Sequence, residues 1–564
     1  MGNMKKLIAI VFVGTALLAS AQTQVEFAVT GLSNSAQEAM SSIDAEKIRA
    51  TVKYLADDAL QGRGTGQKGG DVAADWLGAQ FKSYGLEPAG ADGSFFQTVN
   101  FYGVTTNQQQ TQLAFALKSG SEIKLKFADD FVATDQTHSE KSEIDAPLVY
   151  VGYGIEAPEY RWDDYKKVNL KGKYLLMLVN EPPSEDPAFF KGKALTYYGR
   201  WTYKFEEAAR RGAVGVILIH KTEMASYGWE VVRNSWGGES SLLRDETAPK
   251  LKSAGWIQLD VARKLTQSLG MDLDKMMADA TSRNFKPVEL PVRIKETIVS
   301  NVRPFSSRNI VGKITGSDQK LKTQAVIYTA HYDHLGIHPN EPGDNIYNGA
   351  ADNATGCGIL LEVARVIASS PERPKRTMIF SAVTAEEQGL LGSKYLGQHP
   401  PIPARDISLN LNYDDIQPFG EPQHLVVTGA ERTTAYSLVE KTAREFDLAI
   451  QADTHPEAGH YYRSDHFSMA RVGVPAFSVN EGALFKGHDL AWGEEKDRDY
   501  VAHRYHQPSD EYTPDMDFTA DAKMAKFGLA LGWQAANLPG LIGWQAGDEF
   551  EKARKNSLQT KAGY

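Results

Sequence analysis

From Arg308 onward the chain alternates short apolar runs with amphipathic stretches, and this alternation restricts the fold more than any other feature of the sequence. The periodicity predicts strands over Ala325–Ala330, Thr377–Val383, Ser408–Asn412, Leu425–Thr428 and Pro475–Val479. It predicts helices over Gly356–Ser369, Gly389–Leu396, Thr433–Phe446 and Asp521–Ala536. Strands separated by helices assemble into an α/β architecture, a mostly parallel sheet sandwiched by helices. Functional groups of such sheets collect at the carboxyl ends of the strands. Those ends are where chemistry is to be sought.

The rest of the chain has a different texture. At 564 residues it is too long for one core. Residues 1–21, with Lys5 and Lys6, an apolar run to about Leu18 and the small-x-small ending Ala19-Ser20-Ala21, read as a cleavable signal peptide. Cleavage after Ala21 leaves an exported protein, periplasmic or secreted, and no later segment has the length and apolarity of a membrane anchor. Residues 22–129 read as the helical N-terminal part of the main domain, with amphipathic patterns that stop at Gly85. Residues 130–290 are strand-rich ("APLVYVGYGI", "KGKYLLMLVN", "VILIH") with one helical stretch, "FEEAARRGAVG". Residues 291–564 carry the alternation. The net charge of −10 argues against a nucleic-acid partner. The single cysteine, Cys357, excludes an internal disulfide and, preceding an aliphatic helical pattern, reads as a small buried packing residue.

The predicted strand ends are rich in ionisable groups. "TAHYDHLG" places His331 and Asp333 after the first strand, and "GAADNATG" places Asp352 just before a helix. "FSAVTAEEQGLLGS" sets Glu386 beside Glu387, "NYDDIQPFG" offers Asp414 and Asp415, and "YHQPSDEY" supplies His506. So many carboxylates at one sheet edge need cations to neutralise them. A mixed imidazole and carboxylate set suits zinc, whereas calcium prefers oxygen alone.

These motifs, in this order over roughly residues 300–515, resemble the secreted co-catalytic zinc aminopeptidases of the bacterial leucyl and fungal aminopeptidase Y type. Glutamate carboxypeptidase, transferrin receptor and glutaminyl cyclase are wider relatives. The resemblance implies two zinc ions per chain. His331 and Asp414 would hold one and Glu387 and His506 the other, with Asp352 bridging both and a cis peptide following it. Asp333 would orient the His331 imidazole, and Glu386 would be the general base for a water activated between the metals. The family has one Asp where this chain reads Asp414-Asp415. Asn412-x-Asp selects Asp414, with Asp415 the alternative. Among the other downstream histidines, His460, His466, His488 and His503, none sits in the closing motif, and Asp465 and His466 are expected to line or support the site. The implied substrates are peptides with a free N-terminus; a carboxypeptidase or dipeptidase on the same site would differ in the terminus gripped. A one-zinc cyclase-like transferase and a non-catalytic receptor-like protein are the alternatives, both opposed by the complete ligand set. Residues 130–290 resemble an inserted protease-associated domain, which implies a lid or substrate-access role. The stretch from Ser478 to Tyr500 is an aromatic and acidic insert that either shapes the pocket or forms a surface loop. Oligomeric state is left open by the sequence.

Overall fold

One strand of 27 residues, Val288–Ile314, ties the two halves of the molecule together. The computed structural model describes residues 31–225, 227–339 and 342–559, so the expected signal peptide lies outside the described residues. Two helices, α1 (Ala45–Leu55) and α2 (Lys68–Ser83), lead into β1 (Phe96–Thr106). A second group of strands follows: β2 (Gln112–Leu117), β3 (Phe131–Thr134), β4 (Lys141–Tyr150), β5 (Tyr174–Leu178), β6 (Gly215–His220) and β7 (Ser253–Gln258), with α3 (Trp201–Arg210) between β5 and β6. The long strand is β8. Beyond it come β9 (Ala325–His331), α4 (Gly356–Ser369), β10 (Thr377–Val383), α5 (Leu391–Gln398), β11 (Ile407–Asn412), β12 (Ala476–Ser478), α6 (Leu490–His503) and α7 (Thr519–Asn537).

The main path of the sheet runs β12-β11-β9-β10-β8-β4-β5-β6-β7-β3. On the side that holds the strand-end motifs, β12, β11, β9 and β10 are mutually parallel, with Ala330 opposite Ala382 and Thr329 opposite Asn412. The C-terminal part of β8 closes this side antiparallel to β10 and to β1. Its N-terminal part pairs with β2 and β4 instead. Two large apolar cores result, one around β9, α4 and α7 and another running from Leu113 to Ile298. Every residue of β9, β10 and β11 is buried, which is why these segments read as continuous apolar runs rather than alternating ones.

Glycines let α7 approach the sheet. A methyl on Gly528 would lie 1.8 Å from Tyr413 Oη, and one on Gly532 would lie 1.9 Å from Tyr328 Oη. At i and i+4 the two bare positions share one helix face, and Tyr328 Oη donates to the Gly528 carbonyl at 3.1 Å.

Several elements differ from the sequence expectation: residues 96–117, expected in a helical part, form β1 and β2, and the helix expected from Thr433 begins at Tyr436. Helix α5 starts later than Gly389 because Gly389 and Leu390 take left-handed φ values of 99° and 61° and close a turn onto Glu386. The strand expected at Leu425–Thr428 forms at His424–Val426, but pairs with Ala449–Ile450 and Asn480–Glu481 outside the main sheet. The aromatic-acidic insert contains α6, capped by Asp489 and burying only Gly493 and Tyr500. A helix polar on nearly all sides shows no apolar stripe from which to predict it. No helix among the described residues is long and apolar enough to cross a membrane.

Candidate metal centre

The parallel register brings His331, Glu386, Glu387 and Asp414 to one edge, and the turn before α4 adds Asp352. His331 Nε2 lies 3.2 Å from Asp352 Oδ1 and 2.9 Å from Asp414 Oδ1. On the other side of the same aspartate, His506 Nε2 lies 3.3 Å from Asp352 Oδ2 and 3.1 Å from Glu387 Oε2. Asp352 thus offers one oxygen to each group. Donor atoms sharing a tetrahedral zinc at ordinary bond lengths sit about 3.3 Å apart, so both groups have the spacing and the nitrogen–oxygen chemistry to hold such an ion. Asp415 does not join them: its Oδ1 accepts from Gln417 Nε2 at 2.6 Å.

The supporting groups are as specific as the donors. The Asp352–Asn353 peptide is cis. Asn353 donates to the Tyr413 carbonyl at 3.0 Å, and its Oδ1 accepts from Gly356 N at 3.0 Å. Asp510 accepts from the amides of Ala351 and Asp352, both at 3.1 Å, so the closing motif supplies His506 and also fixes the turn carrying Asp352. Ser464 Oγ donates to Asp414 Oδ2, while Asn412, itself held by Thr329, donates to Ser464. His331 Nδ1 is 3.1 Å from the Asp333 main-chain oxygen and 3.9 Å from its carboxylate. That carboxylate accepts from Glu386 N at 3.2 Å and Thr65 Oγ1 at 2.9 Å.

Electrostatics follow from crowding carboxylates around three imidazoles. Burial opposes charge on His331, yet Asp414, Glu386 and Asp352 hold its imidazole well above its ordinary range. Burial likewise opposes charge on His506, but Glu387 and Asp352 bring it to about 11. Against its own burial and the repulsion of Asp352, Glu387 is drawn down to about 2 by His506 and His334. Glu386 goes the other way. Burial, with Glu387, Asp414 and Asp465 nearby, raises its carboxyl well above the usual range despite His331. The adjacent glutamates are therefore shifted in opposite directions, Glu386 towards holding a proton and Glu387 towards releasing one.

Three groups here were not among the sequence candidates. His334 is buried, with Nδ1 2.6 Å from Glu387 Oε1. Arg63 is fully buried and donates to the carbonyls of Tyr332, Leu55, Asn348 and Gly349 at 2.5–2.9 Å, tying the loops beneath the site. Thr65 follows it. Only the "HYDHLG" motif, with a second histidine three residues after the first, hinted at His334. The remaining expectations fall elsewhere. Asp465 is buried near the centre, its carboxyl raised to about 7 chiefly by burial. His466 packs on Tyr461, and burial lowers it to about 3. His460 lies near Asp453, His488 stacks on Trp492 and His503 pairs with Asp499. Cys357 is buried with its thiol against the His331 carbonyl, a packing residue as its sequence context implies.

The donor groups, from His331 to His506, all lie inside one recognisable segment. Residues 309–530 match the model of Peptidase family M28. A probable zinc metalloprotease of Pyrenophora tritici-repentis is 27% identical over 281 residues, covering 42% of this chain and 53% of that protein. The chain thus spans about half the length of that curated relative. Among solved structures, the aminopeptidase of Aneurinibacillus sp. strain AM-1 is 18% identical with a TM-score of 0.48, covering 90% of this chain and 97% of that one. BSAP, a zinc aminopeptidase from Bacillus subtilis, is 16% identical with a TM-score of 0.41 over the same shares.

Proposed function

We propose that the protein is an exported zinc-dependent aminopeptidase that removes N-terminal residues from peptides, with Glu386 as general base. The observation that carries this reading is the pair of nitrogen–oxygen donor groups sharing Asp352, with the Glu386 carboxyl grouped beside His331 and Glu387. His331, Asp352 and Asp414 would hold one zinc ion, and Asp352, Glu387 and His506 the other. Two such ions supply Lewis acidity and a water of lowered pKa at neutral pH.

The chain's own residues do the rest. Ser464 and Asn480 fix Asp414, and Asp510 fixes Asp352, so the donors are oriented before any substrate arrives. Glu386 takes a proton from the attacking water on a carboxylate oxygen and returns it to the departing amine nitrogen. The unit around β4–β7 is read as a protease-associated insert bordering the substrate path. It touches the main unit where Leu195 N donates to the Pro456 carbonyl at 2.9 Å and Tyr197 packs on Phe467 at 5.0 Å.

The test is Glu386→Gln assayed on peptides with free and acetylated N-termini, alongside zinc content. Turnover falling by about 10²–10⁴-fold with zinc retained, and cleavage confined to free N-termini, is the expected result. Activity surviving the substitution removes Glu386 from the base role, and equal cleavage of acetylated peptides removes the aminopeptidase reading.

A further inference from the structure

Glu387 commits its two oxygens to different partners. Oε2 faces His506 Nε2 and Asp352, in the spacing of donors that share one ion. Oε1 sits 2.6 Å from His334 Nδ1. His334 comes from the other end of the "HYDH" turn after β9 and is 1% exposed. Its ring rests against bare backbone: a methyl on Gly349 would begin 2.6 Å from His334 Cγ.

The tautomer follows from what surrounds the ring. His334 Nε2 is buried with no hydrogen-bond partner among the described residues. A hydrogen there would have no acceptor, whereas a hydrogen on Nδ1 is accepted by Glu387 Oε1. The ring is less evenly placed as a metal donor than His506. His334, Asp352 and Glu387 together could hold an ion, but Nδ1 is 4.0 Å from Asp352 Oδ2 and only 2.6 Å from Glu387 Oε1, whereas His506 Nε2 lies evenly at 3.1–3.3 Å from both carboxylates.

We infer that His334 is a positioning residue for one of the two metal sites: its Nδ1–H holds Glu387 Oε1, so that Oε2 is presented to the ion with a single orientation. Without it, the Glu387 side chain rotates about its last bond and either oxygen competes for the site. Hydrogen-bond partners of ligating carboxylates are commonly worth 10–100-fold in metal affinity. The inference rests on the two-zinc reading above.

The test compares the full-length wild type with His334→Leu, His334→Asn and His334→Gln. Each is stripped of metal by chelator, then titrated with zinc against a competing fluorescent chelator, and melting of the stripped proteins is recorded. An asparagine amide nitrogen lies two bonds from Cβ, as Nδ1 does; the glutamine nitrogen lies one bond further. The expected outcome is two sites in the wild type, one of them weakened about 10–100-fold in the Leu and Gln variants and largely restored in Asn, with stripped-protein melting unchanged. Should Leu fail to fold, the Asn and Gln pair carries the comparison. Two zincs bound by Leu or Gln within threefold of wild-type affinity would overturn the inference and leave the two-zinc reading intact. Asn as weak as Leu, with equal melting, would also overturn it, because a placed donor would then not suffice. A wild type that takes up fewer than two zincs sinks the two-zinc reading, and this inference with it.

Discussion

Replacing Glu296 by glutamine tests how the second core handles a buried acid. Glu296 lies in β8, where that strand pairs with β2 and β4, and it is 4% exposed. One oxygen accepts from Tyr174 Oη at 3.1 Å, and that hydroxyl also meets Ser253 Oγ at 2.6 Å. The other oxygen has no partner among the described residues. Burial, reinforced by Asp135, pushes the carboxyl from an ordinary 4.5 up to about 7. A folded-state pKa above the unfolded value means that the native protein keeps a proton which the unfolded chain has released. Stability is therefore highest below about pH 4.5, falls as pH rises towards 7, and stays reduced above it. At about 1.4 kcal/mol per unit the gap amounts to roughly 3 kcal/mol. Glutamine cannot ionise, so its stability relative to wild type should rise by that amount between pH 4.5 and pH 8, whatever fixed cost its amide hydrogens add. Urea unfolding of both proteins at half-unit pH intervals measures the difference, in which other titrating groups cancel. A difference flat with pH would refute the buried-acid reasoning. A difference of opposite slope would mean that a cation stabilises the carboxylate.

Two further substitutions probe the frame of the centre. Gly532→Ala gains about 1 kcal/mol of helix propensity but drives a methyl against Tyr328 Oη. A net loss of about 1–3 kcal/mol should appear in thermal unfolding and be partly recovered in the double variant with Tyr328→Phe. Arg63→Lys removes the planar donor set that satisfies four buried carbonyls. A loss of about 3 kcal/mol or more is expected in urea unfolding, together with weaker zinc uptake because the Asn348–Gly349 loop is released. Unchanged zinc uptake in Arg63→Lys would mean that the loop holds its shape without the arginine.

Local pattern decides what the sequence can state. The strands carrying His331, Glu386 and Asp414 were legible because a strand buried on both faces is a short continuous apolar run, and its end is marked by the first polar residues. Helix α4 was legible to the residue, its apolar pattern following directly on the "ADNATG" motif. Helix α6 was not, because a helix that buries two residues leaves no stripe to read. Strand β8 was hidden too. Its two ends belong to different cores, and no local periodicity records that one strand serves both.

For the site, the sequence alone determined which residue types stand at the strand ends, and that their number calls for cations. Tertiary structure decided the pairings. Asp414 rather than Asp415 faces His331, and Asp333 offers its carbonyl to the imidazole and its carboxylate to Glu386 N. Arg63 ties loops that lie 285 residues further along the chain, and His334 takes Oε1 of Glu387. Periodicity is set by neighbours three or four residues away. A hydrogen bond between distant segments is set by where the folded backbone delivers them, and only the assembled sheet holds that information.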